Sequence, residues 1–288
     1  MLRPRSNVGQ NTKAGQPHPS VISNGSFSSV TTVRFPLLLL AGSLLSVLLV
    51  AVAGPPSLRI GDFSGQAPSN SVPDGWEQIR FGDNESSTRY DLVRRDSAVV
   101  LRARSSNGAS GLITHQRVDL EQYPILEWRW RVDRLSAGAD VTKETRADAA
   151  ARVYVTFDYD GLGLLDRIRL ALLRRVGYSD APSRALNYLW ARENGQERVV
   201  ESPYTDQIMI MPVRSGRGQT GEWVRERRNV LADYRRAFGE SPPAVNGVAI
   251  MTDTDNTADS ARAFYGDIVF RPSEAGTDSV ERRPSGSE

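Results

Sequence analysis

From residue 97 to residue 270 the prevailing spacing between apolar side chains is two. It recurs in "SAVVLRARS" (97–105), "SGLITHQRV" (110–118), "ILEWRWRVD" (125–133), "ARVYVTFDY" (151–159), "ALNYLWAR" (185–192), "QIMIMPV" (207–213), "VNGVAIMTD" (245–253) and "AFYGDIVF" (263–270). These stretches are short and rich in β-branched and aromatic residues. Asn, Gly, Asp and Ser separate them, so each reads as a strand ended by a turn. Many short strands with polar turns predict a mainly β fold, a sandwich or barrel. Two stretches follow a helical period instead. "LLDRIRLALLRRVG" aligns Leu164, Ile168 and Leu172 beside Arg167, Arg174 and Arg175, and "RNVLADYRRAFG" aligns Val230, Tyr234 and Phe238, with Gly239 as a stop and Pro242 and Pro243 beyond it.

Alternation also assigns faces. In "ILEWRWRVD" it puts Leu126, Trp128, Trp130 and Val132 on one side and Glu127, Arg129 and Arg131 on the other. In "ARVYVTFD" it separates Val153, Val155 and Phe157 from Arg152, Tyr154 and Thr156. The apolar sides predict one common core. The polar sides admit two readings, a water-exposed ladder of cross-strand ion pairs or a concave face that holds a ligand. In the second reading Arg129, Arg152 and Tyr154, joined by Trp190 if its side agrees, stack on and hydrogen-bond to a sugar or clamp a carboxylate.

The chain has 288 residues and a sequence pI near 9.0, with a formal charge of +2. The basic excess lies outside the strand region. Residues 1–53 carry Arg3, Arg5, Lys13 and Arg34 and no acid, which leaves 32 basic against 34 acidic residues for the remainder. A near-neutral body does not support nucleic acid as a partner. Residues 1–34 are rich in Ser, Asn, Gly and Gln without periodicity and read as a disordered lead, and residues 272–288 read as a disordered tail. Between lead and body, "RFPLLLLAGSLLSVLLVAVAG" follows one basic residue with an apolar run and Ala51-Val52-Ala53. Residues 35–53 are therefore expected to be a signal peptide cut after Ala53 or an uncleaved membrane anchor. Either reading puts the folded part outside the cytoplasm, in the periplasm or anchored to the inner membrane.

Candidate chemistry is sparse. No Cys is present, which excludes disulfides, thiolate catalysis and cysteine-ligated metals. The two His, His18 and His115, exclude a multi-histidine metal site. The densest polar group is "DTDNTAD" (253–259), holding Asp253, Asp255 and Asn256. It is not an EF-hand, because Ala258 stands where that loop requires Gly and Phe264 where it requires a bidentate Glu. It reads as a turn between two strands at one rim of a sheet, either a set of Asx-turns or a rim of acceptors for ligand hydroxyls. Asp148, at the mouth of the Arg152 strand, is placed near it. A second possibility is a carboxylate-dependent hydrolase with Asp148 and Asp255 as acid and base, which requires a separation of roughly 5 to 9.5 Å.

The set "PILEWRWRV", "DAAARVYVTFD", "NYLWA", "RNVLADYRRAFGE" and "GVAIMTDTDNTADSARAFYGDIVF" resembles the bacterial exported family called domain of unknown function 3047, over about residues 58–271. That resemblance implies an exported domain and brings no activity with it. "LRIGDFS", "SGLITHQRVDLEQYPILEWRWRV" and "YGDIVF" are similar, more distantly, to galactose-binding-like jelly rolls of carbohydrate-binding modules. This second resemblance implies a jelly-roll-like antiparallel β-sandwich, here with two inserted helices. It also implies a possible structural calcium at the matching positions Asp62 and Asp267, with no other cofactor. The combined expectation is an extracytoplasmic, non-catalytic β-sandwich binding a glycan or other cell-envelope ligand, with a hydrolase of envelope polysaccharide as the alternative.

Overall fold

A computed structural model describes residues 56–80, 88–158, 184–193 and 198–273, all within the unit spanning residues 52–288. The signal or anchor segment at 35–53, the lead before it, the helix expected over 164–177 and nearly all of the tail lie outside the described residues.

Two sheets face each other. The first has the order β11 (Val224–Asn229), β6 (Ile125–Arg134), β13 (Ser260–Arg271), β4 (Ala98–Ser106), β3 (Arg89–Arg95), and β1 (Leu58–Gly61) also pairs with β13. The second has the order β2 (Glu77–Arg80), β5 (Ala109–Thr114), β12 (Val245–Asp253), β7 (Arg152–Phe157), β8 (Arg184–Ala191), β10 (Thr205–Ser215), β9 (Val200–Ser202). The fold is a mainly β sandwich. The first sheet is antiparallel throughout, whereas β8 and β10 run parallel, so the second sheet is mixed.

The expected alternation sets the core. Leu126, Trp128, Trp130 and Val132 of β6 meet Val153, Val155 and Phe157 of β7 and Leu186, Tyr188 and Trp190 of β8 between the sheets. Trp128 and Trp130 pack edge to face with centroids 5.3 Å apart, and Trp190 lies 6.1 Å from Trp130. The opposite side of β6 is the ion-pair ladder: Glu127 pairs with Arg227 at 3.3 Å and with Arg271 at 2.5 Å, and Arg131 pairs with Asp133 at 2.6 Å.

The helix expected around Tyr234 is α1 (Val230–Phe238). Asn229 caps it by accepting the Ala232 amide at 3.0 Å, and Gly239 closes it in the left-handed conformation with φ 73°. Tyr234 packs on Phe157 at 4.6 Å, which seals one end of the core.

The outer side of the second sheet is covered only in part. Val141 and Ala149, from the segment between β6 and β7, pack with Val200 on Leu189, Ala191 and Ile210. Beside that cap the sheet opens into a cleft.

Candidate functional site

Strand register builds the floor of the cleft. Ile113 of β5 stands opposite Ala249 of β12, Ala249 opposite Tyr154 of β7, Tyr154 opposite Asn187 of β8 and Asn187 opposite Ile210 of β10. Register partners share a face, so this row points away from the inter-sheet core. The parallel row through Gly111, Met251 and Arg152 lies beside it. Together with the turn after β9 and the loop after β12 these residues border a cavity of about 220 Å³, whose surface is mostly apolar.

Two features of this cavity point to a ligand. Asn187 is 1% exposed, yet its Oδ1 has no hydrogen-bond partner. Leaving a buried amide oxygen unpaired costs about 1 to 3 kcal/mol. Trp128 Nε1 is likewise unpaired, but it sits in the inter-sheet core, whereas Asn187 borders the cleft. Above the floor, Tyr204 in the β9–β10 turn is 52% exposed, the one large exposed hydrophobic side chain among the described residues. Its hydroxyl donates to the Glu144 carbonyl at 2.9 Å and lies 3.4 Å from Asn256 Oδ1, so the ring is held across the mouth. A fixed half-exposed aromatic ring is a platform for stacking.

The rim is built on a buried ion pair. Arg152 Nε and Nη2 donate to Asp253 Oδ1 and Oδ2 at 2.9 and 3.1 Å, and Nη2 also bonds the Ala147 carbonyl. Asp253 Oδ1 accepts the Ala149 amide at 3.1 Å. Asp148, fully buried, accepts the amides of Asn256 and Thr257 at 3.2 and 2.8 Å and also the Thr257 hydroxyl. Asp148 thereby fixes the loop that carries Asp255 and Asn256. Burial pushes the Asp253 carboxyl up to about 6, against the pull of Arg152. Burial works against the Arg152 charge, but the adjoining Asp253 carboxylate outweighs it and holds the guanidinium protonated. Burial also raises the Tyr154 phenol, and it pushes that of Tyr204 up to about 12.

Of the residues singled out in the sequence, Arg152, Tyr154, Asp253, Asp255 and Asn256 border this one cleft. Asp253 is not a free rim acceptor, because its oxygens are taken by Arg152 and Ala149. Arg129 is elsewhere, on the outer side of the first sheet, where its guanidinium lies 4.7 Å from the Trp223 ring centre. Trp190 faces the inter-sheet core, with Nε1 bonded to the Gly216 carbonyl at 3.0 Å. Asn187 and Tyr204 had no distinguishing pattern: a strand Asn and a turn Tyr are ordinary in sequence.

The acid–base pair of Asp148 and Asp255 does not fit glycoside chemistry. Asp148 is fully buried and sealed beneath the loop by its bonds to Asn256 and Thr257, so it cannot reach a glycosidic oxygen, although oxygens of Asp148, Asp253 and Asp255 lie within 4.8 Å of one another. The same three carboxylates fit a metal ion poorly, since Arg152 already supplies the counter-charge to Asp253. Asp62 and Asp267 are brought together, but Arg59 stands between them, 3.0 Å from Asp62 and 3.5 Å from Asp267, and Ser64 donates N–H and O–H to Asp267 at 2.8 and 2.5 Å. A guanidinium and a serine thus occupy the donor set a calcium ion would use.

The family described as protein of unknown function (DUF3047) matches residues 74–269, about two thirds of the chain, and the chain belongs to it. No curated protein matches the chain in sequence. Similar solved structures include a cleaved adhesin domain of Lys-gingipain from Porphyromonas gingivalis, at 12% identity and TM-score 0.36, covering 75% of this chain and 98% of that one. Another is the family 30 carbohydrate-binding module of a cellulosomal cellulase of Clostridium thermocellum, at 12% identity and TM-score 0.36, covering 75% and 99%. A variant of a family 29 carbohydrate binding module has 9% identity and TM-score 0.33, covering 75% and 91%.

Proposed function

We propose that this DUF3047 protein is an exported, non-catalytic binding module that holds a glycan of the cell envelope in the cleft on the outer side of its second sheet. The observation that carries the reading is the unpaired Asn187 oxygen at the floor of a mostly apolar cavity, under a half-exposed Tyr204 ring. A sugar presents hydroxyl donors at its edge and C–H groups on its face. It therefore satisfies both features at once: an edge donor reaches Asn187 and the face packs on Tyr204. Asp255 and Asn256, exposed at the rim, accept further hydroxyls as the chain of the glycan leaves the cavity. At 220 Å³ the cavity is smaller than the roughly 300 to 1,000 Å³ of sites for drug-sized ligands, so it takes one sugar unit and leaves the rest outside. Export is inferred from the basic residue, apolar run and A-x-A order at residues 34–53.

Binding of the labelled chain to an array of bacterial and plant glycans tests this reading, run beside Tyr204→Ala. Tyr204 is exposed and in a turn, so its loss leaves the core intact. Glycan signals that fall at least tenfold in the variant support the proposal. Signals that survive Tyr204→Ala unchanged, or an array with no positive glycan, overturn it.

A further inference from the structure

We infer that the cleft selects a sugar bearing an acetamido group, an N-acetylhexosamine, with the side-chain amide of Asn187 paired to the ligand's amide; the inference rests on the glycan reading above. Three observations lead there.

The orphaned group in the floor is an amide. Its natural complement is another amide, which offers an N–H to Oδ1 and a C=O to Nδ2. This match holds for either orientation of the Asn187 side chain, because an acetamido group carries both a donor and an acceptor.

The neighbours of Asn187 are apolar. Ile210 is its register partner on β10, Ile208 lies two residues along the same strand face, and both border the cavity. An acetamido group places a methyl beside its polar edge, and that methyl meets these isoleucines. A plain hexose hydroxyl can donate to Asn187 Oδ1, but it leaves Nδ2 without the carbonyl acceptor that an acetamido group brings and puts no methyl on the isoleucines.

Charge argues against an acidic sugar. Arg152 is the cation in the cleft among the described residues, and Asp253 and the Ala147 carbonyl already engage it. A ligand carboxylate would find that guanidinium occupied and would face the exposed Asp255 at the rim. A purely apolar ligand such as an acyl chain fits the cavity walls but leaves Asn187 unpaired.

A site built around a hydrogen-bonding pair rejects the analogue that lacks the partner more strongly than a site built on apolar contact does. The test is titration calorimetry of the full chain, kept in a detergent without a sugar headgroup, with N-acetylglucosamine tetramer, its deacetylated counterpart and the glucose tetramer. The expected result is at least tenfold tighter binding of the acetylated ligand than of either other, equivalent to about 1.4 kcal/mol. Asn187→Leu replaces the orphaned amide by an apolar group of similar shape, and it should erase the preference without lowering the melting temperature. The wild-type comparison stands alone if that variant fails to fold. Equal binding of acetylated tetramer and glucose tetramer overturns the inference and leaves the glycan reading in place. No binding of any tetramer, together with no positive glycan on the array, overturns both.

Discussion

Asp253→Ala should destabilise the fold strongly, although its position in an Asp-rich turn suggests a dispensable surface residue. The substitution removes both acceptors of the Arg152 fork, at 2.9 and 3.1 Å, and the acceptor of the Ala149 amide at 3.1 Å. Both side chains of the pair are about 5% exposed, so water does not replace the lost carboxylate. Breaking one side of a buried pair costs about 3 to 5 kcal/mol because the other charge stays behind. The stranded amide adds about 1 kcal/mol. Arg152 keeps its bond to the Ala147 carbonyl, which trims the total to about 4 kcal/mol. For a domain of this size that loss lowers the melting temperature by roughly 8 to 16 °C. Differential scanning fluorimetry against Asp255→Ala is the assay. Asp255 is exposed, and its removal should cost no more than about 0.5 kcal/mol. The double substitution Arg152→Met with Asp253→Leu should recover most of the loss, since an apolar pair of similar volume carries no desolvation penalty. A melting temperature for Asp253→Ala within ~3 °C of the parent would refute the argument that the pair anchors the rim.

Four further outcomes are expected, three from the structure and one from the sequence. Trp130→Ala empties the centre of the core and strips Glu226 of the indole N–H it accepts at 3.0 Å; chemical denaturation should register a loss of roughly 3 to 5 kcal/mol. Asp253 has its carboxyl raised to about 6 from 3.8, so the proton binds the folded state more tightly than the unfolded one. The pH-dependent part of its effect favours the fold in full below pH 3.8 and is lost as pH rises through about 6, while the pairing with Arg152 that Asp253→Ala removes is separate from it; a carboxyl carbon NMR titration should place the midpoint above 3.8, and a midpoint below 3.8 contradicts this. Asp259, lowered by the amide of Ala137, acts in the opposite sense: it favours the fold above 3.8 and withdraws that support as the pH drops. Intact mass of protein recovered from its native envelope should begin at Gly54, and retention of residues 35–53 would favour the anchor.

What was legible in the sequence was decided by where alternation is clean. On β6 every second residue is charged, so the phase of Trp128 and Trp130 is unambiguous, and both are in the core. On β8 nearly every residue is buried because a cap covers the outer side as well, so "LNYLWA" carries no polar phase and Trp190 could not be assigned a face. Period two gives the face of a strand but not its sheet. Arg129 and Arg152 share a pattern and lie on opposite layers of the sandwich. The charged strands β3 and β11 carry no legible apolar period for the opposite reason. In "RYDLVRR" Arg89 and Arg94 are exposed on opposite sides, in "VRERRN" Arg225 and Arg227 face water, and Glu226 turns inward on β11 because Trp130 Nε1 and Arg214 pair with it. The binding rim was legible as an acidic cluster, yet the burial of Asp253 depends on a cross-strand arginine that spacing alone does not locate. Tyr204 and Asn187 acquire meaning through register and exposure, which are properties of the assembled sheet.

The cleft is the centre of the account, and amide and side-chain NMR of the isotopically labelled chain during titration with the strongest array glycan tests it most directly. Signals of Tyr154, Asn187, Tyr204 and Asn256 should move together and saturate at one affinity, while those of Arg129 and Trp223 on the opposite sheet stay in place. Perturbations centred on Arg129 and Trp223, with Asn187 unmoved, would put the binding face on the wrong side of the sandwich.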